Sequence, residues 1–262
     1  MIYSCGNPGL RLALRVWAAR GVAIALAFCI AVPLSAQQLE ASAPPKGETA
    51  PEPYLAGHEM DFALLLGRPP VAGSPSDRED VNDVAAYQDV DAARWQTAVE
   101  DARFLYPRFD VAFGRSVNRS TSPAMIRLLS RALQDVSATT FAAKDHFSRP
   151  RPYQRNQLHH VCLKDKAPEP EQNPTSGTSY PSGHSSYGWA TALILARLAP
   201  DRADALFARA SEYAESRLIC GMHFPSDLTA GKIIATAVVI RLDQDTAFAA
   251  DLERARKELA GQ

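Results

Sequence analysis

The chain is 262 residues long, 46% hydrophobic and close to neutral, with a formal net charge of −1. That is enough apolar material for one well-buried core, and Lys and Arg spread without a basic tract argue against nucleic acid as a partner. No GxGxxG or GxxxxGKS/T loop is present, which disfavours a dinucleotide or P-loop nucleotide site.

At the start, Arg11, Arg15 and Arg20 flank or precede an apolar run over 21–32, and Pro33-Leu34-Ser35-Ala36 reads as a small-residue cleavage site before Gln37. This is the pattern of a secretory leader over 1–36, which directs the chain to the periplasm. The run is shorter than the roughly 20 residues that span a bilayer, so no stable membrane insertion is expected after cleavage. Residues 37–53, rich in Ala, Pro, Ser and Glu, read as a flexible linker. One folded domain is expected over 54–245, followed by a polar helix or loosely held tail over 246–262.

Within the domain, 77–90 and 92–106 have helical composition. Ser122-Pro123 is a helix start with Pro at the first position, and Ile126, Leu129, Leu133 and Val136 recur at spacings of three and four, the mark of one buried face. That helix should run to about Phe147. Residues 149–180 show no period and read as a long irregular loop, a length usually tied to function. Helix resumes from His184 to about Leu198, where Pro200 stops it. Asp201 can cap the next helix, which Cys220-Gly221 ends with Gly near the usual C′ position. Pro225 starts a further long helix through Leu242. No strand pattern appears, so the fold class is all-α, a single-domain helical bundle.

Three segments carry chemistry: K-D-H-F-S-R-P-R-P at 144–152, P-S-G-H at 181–184 and S-R-L-I-C-G-M-H-F-P-S-D at 216–227. Taken singly, Lys144 and Arg217 read as solvated helix charges, and His184 and Asp227 as ordinary helix-start residues. Taken together they suit a phosphate monoester, whose transfer builds charge on three equatorial oxygens. Arg151 and Arg217 can each grip two oxygens, and Lys144 adds a point charge. Ser182 and the amide of Gly183 sit at a helix N-terminus, where donors face an anion. His223 is the expected nucleophile, with Asp227 four residues on accepting its Nδ1–H and leaving Nε2 free. His184 is expected to begin charged, to protonate the leaving alcohol and later to activate water.

No metal and no cofactor is expected. Six His are present, but there is no HExxH, the Cys spacing does not suit zinc, and adjacent His159-His160 read as loop residues. Ser182 lacks the G-x-S-x-G elbow of a serine hydrolase. Once the leader is removed, Cys162 and Cys220 are the remaining pair; export points to a disulfide, with two buried thiols as the alternative.

At these residues the chain resembles the acid phosphatase and vanadium haloperoxidase superfamily, whose pattern is K-x6-R-P, P-S-G-H and S-R-x5-H-x3-D. The surrounding S-Y-P-S-G-H, G-W-A-T-A-L and S-R-L-I-C-G-M-H are closest to class A bacterial non-specific acid phosphatases. The resemblance implies an all-helical periplasmic enzyme that hydrolyses many small phosphomonoesters without a metal at acidic pH. It further implies a phosphohistidine at His223, a Cys162–Cys220 disulfide and homo-oligomers. Ser186 and a short Pro-rich segment near Pro69 depart from the relatives and bear on substrate preference. The alternatives are a vanadium-dependent haloperoxidase, for whose extra helices the chain has little room, and a non-enzymatic phosphate-binding module, which would not need both histidines.

Overall fold

The computed structural model describes residues 52–58, 60–162 and 178–261. The leader over 1–36, most of the linker over 37–53 and the middle of the long loop, 163–177, lie outside the described residues. Ten helices, numbered in chain order, occupy the described part: α1 (Phe62–Leu65), α2 (Pro75–Ala86), α3 (Ala92–Asp101), α4 (Asp110–Phe113), α5 (Pro123–Phe147), α6 (Pro152–Arg155), α7 (Gly183–Leu198), α8 (Ala203–Ile219), α9 (Pro225–Leu242) and α10 (Thr246–Ala260). Among the described residues there is no strand; Pro150 and Thr178 form an isolated bridge.

Helix α7 is central and packs against α5, α8 and α9. Its buried face is built largely of small residues, Gly188, Ala190, Thr191 and Ala192, with Ile194 and Leu195 behind them. Small residues let helix axes approach closely, and two glycines mark the tightest crossings. A Cβ on Gly188 would lie 2.7 Å from the Tyr213 ring of α8, and one on Gly231 of α9 would lie 2.5 Å from the Ser182 carbonyl. The second crossing pins α9 against the start of α7. Helix α5 contributes Met125, Ile126, Leu129, Ala132, Val136 and Ala143 to the same core.

Several expected boundaries shift. Helix α2 begins at Pro75 under a Ser74 cap, and α3 stops at Asp101, a 3-10 turn over Tyr106–Phe109 taking up the rest. Asp201 does not cap α8. Pro200 starts a 3-10 turn that includes Asp201, leaving its side chain 80% exposed. Within the loop, 152–155 form the short α6. The segment read as a polar helix or loosely held tail is helix α10, docked on α5. Its buried apolar residues are Phe248, Leu252 and Ala255, at spacings of four and three among charged neighbours that include the buried Asp251, so the apolar stripe is narrow enough to read as polar. Asp245 caps it through the Phe248 amide.

Helix α8 ends as expected: Gly221 adopts φ +63°, and the Cys162–Cys220 disulfide ties the loop to that end. Cys162 N–H also donates to the Cys220 carbonyl at 3.2 Å. Two smaller clusters pad this region: α2 brings Val84 against Leu218, Phe224 and Leu228, and α3 brings Ala98 and Ala102 against the disulfide and Ile219.

Gly231→Ala should destabilise the fold by about 1–3 kcal/mol, because backbone, not a movable side chain, blocks the new methyl. Urea unfolding checks this against Gly188→Ala, where the Tyr213 ring can tilt and the loss should be smaller. Equal stability of Gly231→Ala and wild type would contradict the crossing.

Candidate active site

The three sequence segments converge where α5 ends and α7 and α9 begin. Their contact is stitched by backbone: Ser182 N–H donates to the Asp227 carbonyl (2.9 Å), and Ser179 N–H to the Arg149 carbonyl (2.7 Å). Ser185 Oγ donates to the Leu228 carbonyl at 2.7 Å. The first turn of α7 is thereby fixed against the first turn of α9.

Lys144 lies one turn from the end of α5 and is 3% exposed. Its Nζ donates to the carbonyls of Thr178 (3.1 Å) and Ser179 (3.4 Å). Burial, and then the neighbouring Arg151, push its ammonium down to about 7. Arg217, near the end of α8, is 2% exposed, and its Nε and Nη1 have no hydrogen-bond partner. Burial and Arg151 draw its guanidinium down to about 10. Among the described residues, neither cation has a carboxylate within 4.0 Å. Arg151 directs Nη1 to the Met222 carbonyl (2.9 Å) and to His223 Nε2 (3.2 Å).

His223 follows the turn after α8 and is 2% exposed. Burial and the positive charges of Arg151, Lys144 and Arg217 hold it well below its ordinary range, so it is neutral. Its Nε2 accepts from Arg151, which leaves the proton on Nδ1. Nδ1 faces Asp227 Oδ2 at 3.6 Å, longer than the direct bond expected from the spacing. Oδ2 accepts from Phe224 N–H instead (2.7 Å). Asp227 is fully buried; burial lifts its carboxyl, opposed first by Arg149.

Ser182 caps α7, its Oγ accepting from Ser185 N–H at 3.3 Å, which leaves its own O–H to donate elsewhere. Gly183 is the first residue of α7. His184 sets Nε2 3.4 Å from the Ala102 carbonyl and stacks on Tyr213. Burial, Arg217 and His223 push it well below its ordinary range. Burial beside Arg217 and Arg151 thus disfavours the charged imidazole that the expected acid role begins from.

Sequence reading passed over Arg149. It is 5% exposed and pairs with Asp227 (2.7 Å) and with Asp80 of α2 (2.8 Å). Asp101, at the end of α3, was also unread. It accepts from Ser216 Oγ at 2.7 Å and pairs with Arg108 and Arg209, bracing α8 one residue before Arg217. Its sequence context, two adjacent acids at the end of an Ala-rich segment, does not single it out. A cavity of about 490 Å³ is lined by Arg68, His146, Phe147, Arg149, Pro150 and Arg155 but by neither His184 nor His223, so it lies behind Arg149 rather than over the reacting groups. Among the described residues no cluster of His, Cys, Asp or Glu could hold a metal, and no helix is long and apolar enough to cross a membrane.

The low Lys144 value has a sign that can be checked. Its unfolded value is higher, so between pH 7 and 9 the unfolded chain binds more protons and stability rises with pH, by about 2 kcal/mol. Urea unfolding of the phosphate-free protein should show the rise, and Lys144→Met should abolish it. A flat profile in the wild type would contradict the burial of a charged amine.

Comparison with known proteins agrees with this geometry. The PAP2 superfamily profile matches residues 123–247, from the start of α5 to the start of α10. The acid phosphatase of Zymomonas mobilis is 33% identical over 214 residues, 79% of each chain. The non-specific acid phosphatase of Providencia stuartii is 30% identical over 233 residues, 84% of this chain and 91% of that one. That of Salmonella typhimurium is 32% identical over 215 residues, 79% and 84% of the two chains. On this extent of likeness, the chain belongs to the PAP2 superfamily, in the group of acid phosphatases that these relatives represent.

Proposed function

We propose that the protein hydrolyses small phosphate monoesters in two phosphoryl transfers, with His223 as nucleophile, no metal ion and an acidic pH optimum. The observation that carries this reading is the burial of Lys144 and Arg217, with no carboxylate within 4.0 Å among the described residues, beside a neutral histidine. The names of the acid phosphatase relatives support the same reaction class.

In the first step the phosphate oxygens take up donors of Lys144, Arg151, Arg217 and Ser182 and the amides that open α7. Arg151 Nη1 turns from His223 Nε2 to the phosphate, which frees the nitrogen lone pair. Nε2 attacks phosphorus, the ester P–O bond breaks, and His184 gives its proton to the departing oxygen. The phosphorylated imidazole keeps Nδ1–H toward Asp227, whose negative charge offsets the positive ring. In the second step His184 takes a proton from water, the water oxygen attacks phosphorus, and the P–N bond breaks to release phosphate and neutral His223.

The proton on His184 has to arrive with the substrate. A bound phosphate reverses the local charge that holds the imidazole neutral, and a monoanionic ester, abundant below the second phosphate pKa of about 6, carries a proton of its own. Turnover should therefore be bell-shaped in pH, with its maximum on the acidic side of neutrality. Export to the periplasm through the 1–36 leader, and assembly into homo-oligomers, belong to the same proposal.

Hydrolysis of p-nitrophenyl phosphate by wild type and His223→Ala, with and without EDTA, tests it. Wild-type turnover should peak below pH 7, fall before pH 9 and be indifferent to EDTA. The variant should lose activity by roughly 1,000-fold or more. Full activity in the variant would refute the nucleophile, and loss of wild-type activity in EDTA would require a metal.

A further inference from the structure

Arg149 is a second guanidinium inside the K-x6-R-P segment, two residues before the one assigned to phosphate, and it points the other way. Its Nη1 donates to Asp227 Oδ1 (2.7 Å) and Ser226 Oγ (2.8 Å), and its Nη2 to Asp80 Oδ2 (2.8 Å), with Asp77 Oδ1 at 3.5 Å. Its plane lies 4.2 Å over the Phe224 ring. Asp80 in turn accepts from Ser226 N–H (3.1 Å) and from Ser226 Oγ. Every partner of this guanidinium is therefore a group of α2 or of the first turn of α9. Resting on the phosphatase reading, we propose that Arg149 is a positioning residue: anchored from behind by Asp80 and Asp77, it takes one oxygen of Asp227 and so keeps the other turned toward His223.

The buried charges divide along that line. Among the described residues Lys144 and Arg217 have no carboxylate within 4.0 Å, whereas Arg149 gathers Asp77, Asp80 and Asp227 around itself. Arg155 completes the rear layer with a two-pronged contact to Asp77 at 2.7 Å to each oxygen. A cation meant for substrate would not be saturated by acids; one meant to hold an acid would be. Asp227 itself is wholly buried, and a buried carboxylate stripped of its partner is a strongly unfavourable charge that takes up a proton instead. A protonated Asp227 can no longer offset the positive imidazole formed when Nε2 attacks. Arg149 thus acts on catalysis without touching the reacting atoms.

Asp77 and Asp80 lie on α2, outside the residues 123–247 that the superfamily profile matches. The site's orientation then depends on a helix that precedes that span. A purely structural role, in which Arg149 only staples α2 to α9, would lower stability without changing how activity depends on pH. The two roles separate because of what faces Asp227: Arg149 and Arg155 from the rear, Lys144 from α5, Arg151 and Tyr180 from the loop, and His223 on its own segment. Arg149 is the foremost of the groups that oppose burial there, so removing it raises the carboxyl further and moves the acid limb of kcat to higher pH.

The test uses p-nitrophenyl phosphate with Arg149→Ala and Arg149→Lys, each followed as kcat and KM from pH 4 to 8. Arg149→Ala should lose roughly 100-fold in kcat with KM little changed, its acid limb displaced upward. Ethylguanidinium, entering through the 490 Å³ cavity that Arg149 lines, should restore much of the turnover. Arg149→Lys keeps the charge but not the fork that joins Asp227 to Asp80, and should lose roughly tenfold in kcat; it decides the matter if the alanine variant does not fold. Unchanged kcat, a loss carried by KM instead of kcat, or an unmoved acid limb overturns the proposal. Wild-type turnover and its loss in His223→Ala do not involve Arg149, so failure here is distinct from failure of the phosphatase reading.

Discussion

Two cations, Lys144 and Arg217, are buried with no carboxylate within 4.0 Å among the described residues, and the rest of the site is organised around that fact. Removing an ion from water costs several kcal/mol even after relaxation, and each unpaired donor adds about 1–3 kcal/mol. A protein keeps such a site only when an anion fills it during its work. The same positive field explains the histidines: His184 and His223 are neutral because they are buried beside Arg151 and Arg217. In the proposed mechanism one field prepares the nucleophile, withholds the acid proton until substrate comes, and supplies the donors that phosphate requires.

The helices that carry these groups are far apart in sequence, so the site needs cross-ties. Gly231 lets α9 touch the Ser182 carbonyl, the Ser182 amide is bonded to Asp227, and Arg151 reaches the Met222 carbonyl just before His223. The Cys162–Cys220 disulfide closes 58 residues of chain at the end of α8. Negative charge is kept behind this assembly. Asp77, Asp80 and Asp227 cluster on Arg149, and Asp101 braces Ser216 beside Arg217. The acids hold the scaffold and leave the front of the site positive.

Much of this was legible in residue order. Pro123 and Phe147 bound α5 as the spacing implied, Gly221 ends α8, and α7 starts within a residue of its expected place. What stayed hidden follows from physics that spacing does not encode. Helix α10 buries only three apolar side chains among charges, so its hydrophobic stripe is too narrow to stand out. Arg149 occupies an unassigned position in K-x6-R-P, and only the fold brings α2 behind it. Asp227 follows His223 by four residues, yet Oδ2, the oxygen that faces Nδ1 at 3.6 Å, already accepts from Phe224 N–H. The charge on His184 depends on Arg217, 33 positions away, and on burial; neither is a local property.

The most direct measurement is urea unfolding of wild type and Arg217→Met at pH 6, without and with increasing orthophosphate. A carboxylate-poor cradle should make wild type more stable as phosphate rises, by about 2.7 kcal/mol at 100 times Kd. Arg217→Met, which removes an unpaired buried cation, should be at least as stable as wild type in the absence of phosphate and should gain little from it. A wild type indifferent to phosphate, or a variant that is less stable when empty yet still responds to phosphate, would contradict the cradle.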